Sequence, residues 1–139
     1  MSLYQQFKTD ENYERNGIWL EYGSKTGKPV RIKIARAGGT NIKFLKALEL
    51  KARPYRRQLQ NDTIDPEVAE ELFRQVYVES VILGWENVDT EDGKPLEFNR
   101  FNCLKLLTDL PDLFADIREQ ATKASLFRSE VIETASKNS

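Results

Sequence analysis

The chain contains no histidine, and among its 139 residues there is one cysteine, Cys103. The missing histidine removes the commonest metal ligand and the commonest general base. Cys103 has no second cysteine to bridge, and no neighbouring base in the sequence marks it as a nucleophile. A lone thiol of this kind suits an intracellular, reducing compartment. No apolar run approaches the ~20 residues that a membrane span needs. The opening MSLYQQFKTDEN lacks the basic-then-apolar order of a secretory signal. There is no P-loop, no GxGxxG and no HExxH, and Gly38-Gly39 alone marks a turn. These absences point away from an enzyme. No catalytic, metal-ligating or cofactor-binding residue is assigned, and no cofactor or membrane partner is expected.

What remains is 40% hydrophobic and 31% charged, the balance of a soluble globular chain and of one domain over residues 1–139. The net charge of −1 hides a strong asymmetry. Residues 25–57 hold eleven Lys/Arg against one acid, Glu49, whereas residues 58–139 hold eight against seventeen. Three readings follow: the basic segment folds against the acidic helices, it contacts nucleic acid, or the molecule associates head to tail. The basic run Lys51 to Arg57 has one aromatic and no repeated stacking residues, which argues against nucleic acid.

The periodicity predicts an α+β fold, mainly helical, with an N-terminal β-hairpin packed on a bundle of four or more helices. Residues 1–16 form an arm in which Leu3, Tyr4 and Phe7 suit one docked helical turn. Residues 17–37 form the hairpin: Ile18, Leu20 and Tyr22, then Val30, Ile32 and Ile34, alternate around the turn-rich Gly23–Pro29. Residues 40–134 form the helical part, and 135–139 a frayed tail. Thr40 or Asn41 caps a helix to about Ala52, with Ile42, Leu45 and Leu48 on one side. Pro54 interrupts it. Asp65-Pro66 starts the next, where Val68, Leu72 and Val76 run beside Ala69, Phe73, Tyr77 and Val81. Two such rows make this the central helix.

That helical pattern stops at Gly84, with Trp85 directly after it. A polar excursion turns at Asp92-Gly93 and returns through Pro95-Leu96-Glu97-Phe98. Trp85 and Phe98 each carry enough area, roughly 150–250 Å², to clamp the two ends onto a shared core. Gly84, Trp85, Gly93 and Phe98 are therefore the expected structural anchors. A calcium loop is excluded, because Gly93 at its sixth position puts Val88 first and Asn99 twelfth. Asn99 instead caps a helix with Phe101, Leu104 and Leu107 on one face. After Leu110-Pro111 the last helix runs from about Asp112 to Thr134, with Leu113, Ile117, Ala121 and Ala124 on one side. Past Ser125 the period blurs, and Leu126, Phe127, Val131 and Ile132 point two ways at once. They are either a surface for partner helices or self-association, or part of a larger core.

The order of these signals resembles the tail assembly chaperones of long-tailed phages with non-contractile tails. The carriers are Lys33-Ile-Ala-Arg-Ala-Gly, Arg53-Pro-Tyr-Arg, Leu83-Gly-Trp85, the Asp92-Gly-Lys-Pro-Leu-Glu-Phe98 return and Leu106-Leu-Thr-Asp-Leu-Pro111. The resemblance covers roughly residues 14–132 and brings no active-site motif. It implies a protein of the infected cell's cytoplasm, absent from the finished virion. It implies binding to the tape measure protein, keeping that protein soluble, and recruiting tail tube subunits, often through a longer frameshifted product. The alternative is a small nucleic-acid-binding regulator using residues 25–57.

Overall fold

Side-chain caps open four of the helices, whereas Asn41, expected to cap the helix that follows it, makes no cap hydrogen bond and donates to Arg36 and Ser80 instead. In the computed structural model, which describes residues 2–25 and 27–128, Ser2 and Gln5 form a reciprocal capping box at the start of α1 (Leu3–Phe7). Asp10 accepts from the amides of Asn12 and Tyr13 at the head of α2 (Glu11–Asn16). Asp65 caps α5 (Pro66–Ser80), with Pro66 in the first turn where no amide partner is needed. Asn99 caps α6 (Arg100–Asp109), and Pro111 opens α7 (Pro111–Ala121).

The hairpin is β1 (Ile18–Lys25) and β2 (Lys28–Ile34), antiparallel, with Ile18 opposite Ile34 and Leu20 opposite Ile32. It is one part of a three-stranded sheet. The expected helix corner at Gly84 is instead a strand, β3 (Ile82–Glu86), laid antiparallel on the free edge of β2. The helix before it ends at Ser80, and Gly84 has no left-handed backbone, so it caps nothing. A two-stranded hairpin is marginal by itself, and Ile82 with Trp85 supplies the β-branched and aromatic residues of a third strand.

The sheet's inner face, with Ile32 and Ile34 fully covered, packs on α5, α6 and α7. Tyr77 and Val81 of the α5 end, Cys103 and Leu107 of α6, and Phe114, Ile117 and Ala121 of α7 complete that core. Phe44, Tyr77 and Phe114 meet edge to face at 5.9 and 5.4 Å, linking α3 (Ile42–Ala52), α5 and α7. As expected, α5 is the central helix, packed on α3, α6 and β3. Pro54 lies in a 3₁₀ turn, Arg53–Tyr55, between α3 and the short α4 (Arg56–Gln60).

Three faces differ from the sequence reading. α3 turns Phe44, Ala47 and Leu48 inward and leaves Ile42 and Leu45 in solvent. α6 buries Cys103 and Leu107, one turn apart, and Phe101 is 76% exposed. α7 stops at Ala121; a 3₁₀ turn over Ala124–Phe127 then folds back. At the other end, Leu3, Tyr4 and Phe7 form a helical turn but lie exposed, so α1 is not docked.

Candidate functional site

Trp85 positions the excursion after β3. Its ring is half-buried and stands edge to face on Phe98, centroids 4.9 Å apart, and its indole N–H donates to the Leu96 carbonyl at 2.8 Å. The excursion closes as a small hairpin: Thr90 N–H donates to Lys94 O, Gly93 N–H to Thr90 O, and Leu96 N–H to Val88 O. Gly93 has φ +83, which its missing side chain permits. Trp85 and Phe98 thus meet across the Gly93 turn, but only Trp85 packs on the core expected to hold both; Phe98 is exposed. Trp85→Ala removes both the ring contact and the bond to Leu96. It should lower stability by about 2 kcal/mol in urea denaturation, less than a fully buried tryptophan. A change within ~0.5 kcal/mol would show that the clamp holds nothing.

The clamped loop and α6 enclose a groove of about 640 Å³. Leu96, Leu106 and Leu110 give it an apolar floor. Three carboxylates line it, Asp89, Glu91 and Asp109, against one cation, Lys105. Lys105 donates to Asp109 at 2.6 Å; that bond and its charge, with a contribution from Glu91, hold the ammonium above its ordinary pKa. The groove continues along Leu106 and Leu110 into a second hollow of about 330 Å³, walled by Tyr22, Val30, Ile32 and Leu113. Tyr22 donates to Asp116 at 2.6 Å, and burial together with that bond raises the phenol's pKa. Phe101 stands on the same helix, one turn before Lys105.

Burial pushes the Cys103 thiol up to about 12, so it stays protonated. Among the described residues no group of His, Cys, Asp or Glu could hold a metal ion, and no helix is long and apolar enough to cross a membrane.

The residues singled out at the C-terminal end separate. Phe127 is 0% exposed, inside the core, and offers no surface in this fold. Leu126 packs against the core, half-buried. Val131 and Ile132 lie outside the described residues. The helical period ends because the chain leaves the helix for a 3₁₀ turn, where Phe127 enters the core and Leu126 packs against it.

The basic segment is also dispersed. Arg31, Arg36 and Lys51 pair with Glu86, Glu14 and Glu79, all outside it, so three of its eleven cations are matched by acids elsewhere in the fold. Arg31 and Lys33 flank the exposed Trp19 on the outer sheet face, at 4.7 and 5.7 Å from its ring.

The sequence reading missed Glu14. Its carboxylate is 1% exposed and accepts from Thr9 and Arg36, both at 2.7 Å. Gly39, at φ +54, passes so close that a Cβ there would stand 1.7 Å from Glu14 Oε2. Glutamate in a polar arm carries no sequence signal for such burial.

A family described as the YdaY prophage protein matches residues 38–138. Comparison with curated proteins gives no match, and neither does comparison with solved structures.

Proposed function

We propose, from the premise that this chain belongs to the YdaY prophage protein family, that it is a phage tail assembly chaperone. In this reading it binds the tape measure protein in the host cytoplasm, keeps it soluble and helps recruit tail tube subunits, without entering the virion. A longer, frameshifted product would carry the contact to the tube protein.

One observation carries the reading: the preformed groove over Leu96, Leu106 and Leu110, with exposed Phe101 one turn before Lys105 on the helix that lines it. A tape measure chain presents apolar helix faces until the tube encloses it. Such a face inserts into a groove of this kind through residues spaced three and four apart. The acidic lining selects segments with basic flanks and leaves the contact reversible by salt. The alternative, a nucleic-acid-binding regulator using residues 25–57, has less support, because Arg31, Arg36 and Lys51 are held by carboxylates.

The test is co-expression with the large helical product of the neighbouring tail reading frame. The expected result is that the partner becomes soluble and co-purifies. Phe101→Ser with Leu110→Asp should weaken capture at least tenfold and leave stability within ~0.5 kcal/mol, since both side chains are solvent-exposed. Undiminished capture by this variant would remove the groove from the mechanism. Capture of DNA with a steep salt slope, and no capture of the tape measure, would favour the alternative.

A further inference from the structure

We infer that the groove on α6 receives α3 of a second copy of this chain, so that the protein associates head to tail and caps its own client site. This rests on the groove being the client site, as proposed above.

The occupant is identified by complementarity. α3 is an eleven-residue helix about 16 Å long. Its inward side, with Phe44, is used by its own fold. Its outward side leaves Ile42 59% and Leu45 52% exposed, one turn apart. Lys43 and Lys46 flank them, exposed and without an ion pair among the described residues. Further along the helix, Lys51 and Arg53 are drawn to Glu79 and Glu49. The outward side of α3 thus carries exposed Ile42, Leu45 and Leu50, with the cations Lys43 and Lys46 beside them. The groove has an apolar floor lined by the acidic Glu91 and by the Lys105–Asp109 pair. Each surface supplies what the other lacks.

The two patches lie on different elements, so the contact is heterologous: every copy has one free groove and one free helix. Such contacts run on into open chains unless the rotation closes a ring. Burying Ile42 and Leu45 on Leu106 and Leu110 supplies the attraction. The charges supply register and speed, and weaken with salt. A client helix with basic flanks competes for the same groove, so client binding takes the assembly apart.

Sedimentation velocity on the whole chain, at low and at high salt, tests this. The wild type should show concentration-dependent species larger than a monomer at low salt, shrinking as salt rises. Lys43→Glu with Lys46→Glu disables the helix, and Glu91→Lys with Asp109→Lys disables the groove. Each variant alone should associate about a hundredfold more weakly, because like charges then face each other. Mixed in equal amounts, the intact groove of the first variant meets the intact helix of the second. The charge-reversed helix of the first also suits the charge-reversed groove of the second, so the mixture should regain assembly of about the wild-type extent. A wild type monomeric at all concentrations, a helix variant that assembles like the wild type, or a mixture that stays monomeric would each overturn the inference. Tape measure capture, measured separately, stays intact in the helix variant if only self-association has been misread. It fails in the wild type if the client reading itself is wrong.

Discussion

Phe127→Ala is expected to lower the unfolding free energy by about 3–5 kcal/mol, the range for deleting a fully buried aromatic ring. In a domain of this size that is a fall in Tm of about 10–20 °C. The ring has no solvent-facing atoms and belongs to the same cluster as Ile34, Phe114 and Ile117. Its own carbonyl accepts from the Asp10 amide at 2.7 Å, so the residue also tethers the start of α2. Deleting the side chain leaves a cavity inside that cluster. Chemical denaturation of the purified variant measures the loss. A variant that melts within ~0.5 kcal/mol of wild type would mean the ring is not buried in solution, and would return Phe127 to the partner surface.

The second large effect belongs to Glu14. Glu14→Ala should cost about 3 kcal/mol, because Arg36 would remain largely covered with no carboxylate opposite it. The same pair makes stability depend on pH. Burial alone would raise the Glu14 pKa, but the hydrogen bonds from Thr9 and Arg36 and the charge of Arg36 outweigh it and leave it below the ordinary value of 4.5. A carboxyl depressed in the folded state binds its proton more readily when unfolded. Its contribution is therefore complete above about pH 4.5 and is lost as pH falls through the folded value. Glu14→Gln has nothing to titrate, so its stability should fall less on acidification than the wild type's. Parallel losses in urea unfolding series at neutral pH and near pH 3 would show that this pair does not carry the acid sensitivity.

Legibility followed the range of the interaction. Asp65-Pro66, Asn99 and the alternating Ile18–Ile34 stretch act over a few residues, and each appears where the sequence puts it. The double row on α5 worked because a helix packed on three neighbours must be apolar over a wide arc. Gly84 misled because glycine after an apolar helix suits a cap, whereas the edge of β2, fifty residues back in the chain, claimed it for a strand. The choice between Phe44 and Ile42 as the inward residue of α3 is set by where Tyr77 stands, which no local pattern shows. At the candidate site, the Trp85–Phe98 clamp and the Gly93 turn were legible. The groove they support was not, because its floor joins Leu96 to Leu106 and Leu110 across the clamped loop.

The segment after β2 has a consequence for how the fold comes apart. Three successive amides donate to three separate elements: Ala35 to Val81 at the end of α5, Arg36 to Glu14 of α2, and Ala37 to Ala121 of α7. Asn41 adds its side-chain amide to the carbonyls of Arg36 and Ser80. Neighbouring amides in one helix or strand ordinarily exchange their hydrogens together, because one opening frees them all. Here each is released by a different parting. If α2 peels away first, Arg36 alone loses its protection while Ala35 and Ala37 keep theirs. This stretch of backbone therefore keeps a separate clock for each of the three elements it joins.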